Sequence, residues 1–220
     1  MPTRPKNAYE DKIYRYNLAI HNALNDPAVL TLISACGYDA KTLQEGKDLL
    51  EAVQLLFQEQ KRKYGDQMRL TRQCKDTWAE VNKTFMRTRK LIRIVFGNDA
   101  GICRELMLTG PKKKDTPGWI SQVSTMYDAV LRNPGYIEKL AIFNYTKDKL
   151  EAERALLDTV KQRELEKEYR KTEARKATRK RDDMMRKLTS WMSVYRRVLR
   201  IALEDDAQLL EQLGIVARSE

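Results

Sequence analysis

Apolar residues recur along the chain at helical spacing, and no segment shows the sustained alternation of apolar and polar residues that is typical of a half-buried strand. The clearest seam has intervals of four and three residues, which is the pattern of left-handed helix packing. A second seam, from Met185 to Ala202, has the same register. The pattern predicts an all-α protein. The first seam consists of Cys74, Trp78, Val81, Phe85, Thr88, Ile92 and Val95.

The sequence also repeats itself at one fixed offset. The numbers of Pro27 and Pro134 differ by 107 (134 − 27), and the same offset relates Tyr38 to Tyr145 and Leu106 to Leu213 without any insertion. A single register over so long a span indicates an internal duplication. We therefore predict two helical repeats, residues 1–110 and 111–220, which pack together as one pseudo-two-fold domain.

Residues that begin and end helices are preserved in kind between the two repeats. Asp26 and Asn133 each precede a proline, as expected of an N-cap followed by the first helical residue. Gly37 and Asn144 are the two residue types that best tolerate the left-handed backbone after a helix. These positions predict helix boundaries in both repeats.

Each repeat is expected to contain five helices, which in the first repeat lie near residues 8–24, 27–36, 39–63, 67–97 and 99–108. The pair Gly65-Asp66 predicts a turn between the third and fourth helices. The corresponding segment 165–180 contains no Gly or Pro. The alternative is therefore a continuous helix of about 60 residues, although such lengths are rare. We predict two long hairpins that form an up-down four-helix bundle, with additional short helices closing one end.

The composition of the chain indicates its partners, its cysteine chemistry and its location. The chain of 220 residues has a net charge of +11, which favours anionic partners. Three cysteines, an odd number without a C-x-x-C pair, argue against a disulfide framework or a thiolate zinc site, and we expect them in the core. The N-terminal residues lack the apolar segment of a signal peptide, and no apolar run approaches the ~20 residues of a membrane span. We expect a cytoplasmic protein.

Candidate catalytic chemistry is sparse. His21 is the only histidine, no Glu-x-x-His pair suggests a di-iron site, and no glycine-rich phosphate loop occurs. The run Glu204-Asp205-Asp206 could bind a cation, but only Asp206 is kept between the repeats, which favours a capping role. We therefore predict no catalytic residue, no cofactor and no metal site, and a protein that is not an enzyme.

The two predicted hairpin tips are the strongest candidate for a functional site. Residues 58–73 carry a net charge of +3 and residues 165–180 carry +4, and in an up-down bundle both tips lie at the same end. The alternative is that these charges only keep two exposed tips soluble. The candidate residues for binding an anion or a partner are Lys61, Arg62, Lys63, Arg69, Arg72, Arg170, Lys171, Arg175, Lys176, Arg179 and Lys180.

The second repeat opens with Gly118-Trp119, and its C-terminal stretch contains Arg181-Asp182, Leu188, Trp191, residues 200–205 and residues 209–215. In these features it resembles a group of uncharacterised bacterial helical proteins. The resemblance implies a bacterial, all-helical and non-enzymatic protein. It implies no particular activity or binding residue.

Taken together, these patterns predict a non-catalytic helical scaffold or protein-interaction module, whose partner is a protein that the sequence does not identify. The alternative function is weak, non-specific binding of nucleic acid or another anionic surface through the basic tips. Tyr64 and Tyr169 are the only aromatic residues among those charges, and no motif that reads bases is present. The sequence specifies neither pathway nor oligomeric state.

Overall fold

The computed structural model describes residues 8–215, and over that range the chain is all-helical, with eight helices and no strand. Two helices are very long and six are short. The helices are α1 (Ala8–Asn25), α2 (Pro27–Ser34), α3 (Ala40–Phe96), α4 (Ala100–Glu105), α5 (Thr116–Arg132), α6 (Pro134–Ala141), α7 (Lys147–Ala202) and α8 (Ala207–Gln212). The prediction of an all-α protein is confirmed.

The predicted helix boundaries are confirmed where capping residues define them. The Asp26 side chain accepts hydrogen bonds from the backbone N–H groups of the first turn of α2, and Asn133 does the same for α6. Gly37 and Asn144 have φ angles of 82° and 61°, in the left-handed region. Local sequence chemistry therefore fixes where the short helices begin and where the chain turns after them.

The predicted turn at Gly65-Asp66 is wrong, and so are the two hairpins and the basic tips that depended on it. Helix α3 continues through Gly65, and α7 continues without interruption through the corresponding segment. A glycine inside a helix costs only about 1 kcal/mol, which packing readily offsets. Here Leu70, Ala174 and Ala177 are buried in segments that we expected to be exposed.

The described residues form two compact units. Unit 1 comprises residues 8–63 and 173–215, and unit 2 comprises Tyr64–Thr172. Each unit therefore draws on both predicted repeats, residues 1–110 and 111–220, and each contains part of α3 and part of α7. The two units are described separately below.

The core of unit 1 is built from α1, α2, α8 and the unit's portions of α3 and α7. Buried aliphatic side chains such as Ile20, Leu43 and Leu199 form its centre. An aromatic group lies beside them: the Trp191 ring is 5.7 Å from that of Tyr38 and 5.1 Å from that of Tyr195. Gly46 on α3 provides the space for Trp191, because an added Cβ atom there would overlap the indole.

The core of unit 2 is centred on Trp119 of α5, which is fully buried. Its ring lies 5.3 Å from that of Trp78 and 6.2 Å from that of Phe85, and its Nε1–H donates to Asn82 Oδ1 at 3.1 Å. The seam predicted over residues 74–95 thus supplies the side chains that this tryptophan contacts. Buried apolar area of this kind is the main source of stability in a helical protein.

The three cysteines occupy different environments. Cys74 is buried, Cys103 is half-buried and Cys36 is exposed, and all three are free thiols. The expectation of a core position is wrong for Cys36, because this residue lies in the turn that follows α2 rather than on an inward helix face.

Candidate functional site

The eleven predicted basic residues lie within α3 and α7 rather than at turns, and they divide between the two units. The members in unit 2 are Arg69, Arg72, Arg170 and Lys171. The members in unit 1, which we call the unit 1 basic surface, are Lys61, Arg62, Lys63, Arg175, Lys176, Arg179 and Lys180.

Unit 1 brings its two basic segments together across a shared carboxylate. Glu173 accepts a hydrogen bond from Lys176 at 3.2 Å and forms an ion pair with Lys63 at 3.6 Å. Nearby, Arg181 on α7 donates to Gln60 Oε1 on α3 at 3.2 Å. The hydrogen bond from Lys176, assisted by the charge of Lys63, lowers the pKa of Glu173, so the carboxylate stays ionised. The shared carboxylate therefore offsets about half of the charge of the two lysines.

Three cations of the unit 1 basic surface have no such partner. Lys61 pairs with Glu10 at 3.1 Å, but Arg175, Arg179 and Lys180 are exposed and make no ion pair with any carboxylate of residues 8–215. Arg175 and Arg179 are four residues apart and so lie on the same face of α7. This face keeps its positive charge available to an external anion.

A groove of about 900 Å³ runs beside Arg179, between α1 and α7. Its charged lining residues are Lys12, Arg179 and Arg186 together with the carboxylates Asp182 and Asp183. Tyr9 and Thr189 supply apolar and hydroxyl surface. Arg186 pairs with Asp183, so its charge is partly compensated. Sequence analysis missed Lys12 and Arg186. The spacing of seven residues between Arg179 and Arg186 places them on one helix face and could have identified the second of them.

The basic residues of unit 2 are mostly paired along their own helix. Arg170 pairs with Glu166 at 3.6 Å, Lys171 with Glu168 at 3.2 Å, and Arg69 with Asp66. Tyr64 and Tyr169 are each more than half exposed. At these positions unit 2 therefore presents tyrosine rings next to mostly paired cations, whereas the unit 1 basic surface presents unpaired charge.

Unit 2 also contains a buried polar cluster that sequence analysis did not identify. Glu153 Oε2 accepts hydrogen bonds from Thr88 Oγ1 at 2.6 Å and from Tyr127 OH at 2.9 Å. Burial, with the neighbouring charge of Glu153, raises the pKa of Tyr127 well above its usual value, so the phenol remains a donor. Two hydroxyl donors on one carboxylate oxygen form a satisfied structural network.

The other candidate groups have ordinary structural partners. His21 is exposed and its Nε2 lies 2.9 Å from Asn25 Nδ2. Asp206 Oδ1 accepts a hydrogen bond from the Leu209 N–H at 3.1 Å, so its predicted role as an N-cap is confirmed. Among residues 8–215, no three His, Cys, Asp or Glu side chains are grouped closely enough to hold a metal ion.

Comparison of the chain with protein-family models, curated proteins and solved structures finds no significant match. Within the described part of the chain, none of the helices combines the length and the apolar character that crossing a bilayer requires.

Proposed function

We propose that the protein is a non-catalytic interaction module that binds an acidic protein partner through the unit 1 basic surface. One observation carries this proposal: Arg175, Arg179 and Lys180 are exposed without a carboxylate partner among the described residues, while most of the neighbouring cations are paired. Arginine binds carboxylates through two parallel hydrogen bonds, which gives both affinity and orientation. The free thiols support a cytoplasmic location for this function.

The groove beside Arg179 favours a protein as the partner. Tyr9 gives it apolar surface, and Thr189 adds a hydroxyl that can donate or accept a hydrogen bond. A polypeptide carries acidic, apolar and polar side chains in close sequence and can match all three features. A bare polyanion would contact only the cations.

A pair of charge-matched variants tests the proposal. The test variant is Arg175→Glu with Arg179→Glu, and the control is Lys41→Glu with Lys47→Glu, which reverses two exposed charges elsewhere in unit 1. Each is used as bait in extracts of the native cell treated with nuclease. We expect an acidic protein to be retained by the wild type and the control and released by moderate salt. Equal capture by the test variant would reject the unit 1 basic surface as the binding site.

Weak, non-specific binding of nucleic acid is a second candidate, and the unpaired charge of Arg175, Arg179 and Lys180 favours it. Phosphate oxygens accept hydrogen bonds from arginine and lysine side chains whatever the base sequence. In this case affinity should fall steeply with salt, because each phosphate contact releases counterions. The wild type is compared at low salt with a variant in which all seven residues of the unit 1 basic surface are changed to Glu. A wild type that binds neither duplex nor single strand rejects this candidate.

We also propose that the chain arose by internal duplication, with repeats at residues 1–110 and 111–220. Helix bounds support this proposal: those of α2 and α6 differ by 107 at both ends, as do those of α4 and α8. Core positions agree as well, since buried Leu43, Leu50 and Val53 correspond to buried Leu150, Leu157 and Val160. Expression of residues 1–110 alone tests it, because a self-sufficient repeat should fold as a helical species, on its own or as a dimer.

A further inference from the structure

One stretch of α3 within unit 2 is rich in cations and lacks acidic residues altogether. From Val81 to Phe96 the sequence contains five basic residues and no Asp or Glu. Two of them are engaged internally: Arg89 donates to the carbonyl oxygens of Leu108 and Gly110 at 3.2 and 3.1 Å, and Arg93 also donates to Leu108. The other three are therefore the ones available for an external role.

Those three, Lys83, Arg87 and Lys90, are exposed and form no ion pair or hydrogen bond with any side chain of residues 8–215. Their spacing of four and three residues places them in one row along the helix. They line a shallow groove of about 670 Å³ together with Met86 and Ile94. Ile94 is 76% exposed, so this row presents an apolar side chain beside its cations.

We propose that this groove binds an amphipathic helix of another protein that carries acidic residues beside an apolar stripe. Carboxylates at three- and four-residue spacing would match the row of cations, and an apolar side chain between them would cover Ile94 and Met86. Phosphodiester backbones would match the cations but not the apolar side chains. A bilayer would require more than one prominent apolar residue.

The corresponding row on α7 in unit 1 differs in charge. At the repeat offset of 107, Lys83, Arg87 and Lys90 correspond to Ser190, Val194 and Arg197, so two of the three cations are replaced. Ile201, which corresponds to Ile94, is similarly exposed, at 66%. The groove on α3 is thus a property of unit 2, and it is independent of the unit 1 basic surface and of the function proposed for it.

The probe for this site is a fluorescent synthetic helix of about 18 residues, five turns, with Glu and Leu at three- and four-residue spacing. A scrambled peptide of the same composition is the peptide control. The test variant changes Lys83, Arg87 and Lys90 to Glu. The protein control changes Lys75, Lys113 and Lys114 to Glu, which are also exposed residues of unit 2. Fluorescence anisotropy at low and high salt reports binding by the full chain.

We expect the wild type to bind the probe with a Kd no weaker than about 100 µM, and the test variant to bind at least about tenfold more weakly. Ile94→Ser should weaken binding by about tenfold at constant charge, because it removes the apolar contact. The protein control should bind like the wild type, as should the Arg175→Glu/Arg179→Glu variant, which separates this site from the function proposed above. Far-UV circular dichroism of every variant checks that the helices persist.

Several results would overturn this assignment. The assignment is wrong if the wild type does not bind the probe, or if it binds the scrambled peptide as tightly as the probe. It is also wrong if the protein control loses as much affinity as the test variant. Duplex DNA and vesicles containing phosphatidylserine are titrated in parallel. If the binding of DNA or vesicles depends on Lys83, Arg87 and Lys90 but is unchanged by Ile94→Ser, the groove is a general anion site. The helix-binding role is then rejected.

Discussion

Replacing Gly46 by alanine tests the packing of unit 1, because the same substitution has opposite expected effects at two positions of α3. Alanine normally stabilises a helix interior by about 1 kcal/mol relative to glycine. At Gly65 an added Cβ atom would meet no other atom within 4 Å, so Gly65→Ala should realise this gain. At Gly46 the same atom would lie 2.6 Å from Cζ2 and Cζ3 of Trp191.

The expected magnitude follows from that overlap. To restore an ordinary contact, the indole must move by roughly 1 Å, and Tyr38 and Tyr195 stand against it. Overpacking of this kind costs about 1–3 kcal/mol, which exceeds the helix-propensity gain. Gly46→Ala should therefore lower the free energy of unfolding by about 1 kcal/mol, and the melting temperature by about 2–4 °C for a chain of this size.

Urea unfolding followed by circular dichroism measures both variants under identical conditions. A double-mutant cycle with Trp191→Leu isolates the contact: in that background the alanine at position 46 should become neutral or stabilising, with a coupling energy of about 1 kcal/mol. If Gly46→Ala stabilises the protein as much as Gly65→Ala does, or if Trp191→Leu leaves its effect unchanged, the packing argument is refuted.

Three further predictions concern buried polar groups and thiols. Tyr127→Phe removes one of the two donors to Glu153 and should destabilise the protein by about 1–3 kcal/mol in urea unfolding, and a neutral effect would show that the hydrogen bond contributes little. Burial raises the pKa of Tyr195 above its unfolded value, so the contribution of this residue to stability should be constant below pH ~10 and then fall by up to about 1.4 kcal/mol per pH unit, because only the unfolded state ionises. Tyr195→Phe should reduce this fall of the unfolding free energy with pH, which urea unfolding on either side of pH ~10 measures. If the variant loses stability with pH as steeply as the wild type, the role given to Tyr195 is wrong. Cys36 should react with a thiol reagent in the native state while Cys74, whose pKa is raised by burial, reacts only on unfolding; mass spectrometry of modified peptides distinguishes them.

Much of the fold could be predicted because it depends on local chemistry. Asp26 and Asn133 cap helices, Gly37 and Asn144 adopt the left-handed conformation, and the seam that includes Phe85 is buried, all as the sequence indicates. Each of these features is determined by side chains within a few residues.

The path of α3 could not be predicted in the same way, because it depends on long-range packing. A glycine followed by an aspartate is a turn signal, but its preference is weaker than the burial of Leu70 and Cys74 a few residues later. The absence of any Gly or Pro from residues 165–180 was the better indicator. It pointed to the continuous helix that the structure contains.

The candidate surfaces also depend on contacts between residues that are far apart in sequence. The sequence located the charged residues of the unit 1 basic surface, but pairing decides which of them remain available. Lys63 and Lys176 share Glu173, whereas Arg179 has no carboxylate partner in the described range. Such distinctions require distances between helices that are far apart in sequence, and no spacing rule supplies them.

The two units differ in when their residues are synthesised. Unit 2 is one uninterrupted segment, Tyr64–Thr172, and all residues of its core have been synthesised once the chain has reached Val160, in the first third of α7. Unit 1 joins residues 8–63 to residues 173–215, and its core includes Leu210, Leu213 and Ile215. Helices α1 and α2 must therefore wait for α8 to be made. In this protein the middle of the chain should fold first, against the usual order from the N-terminus.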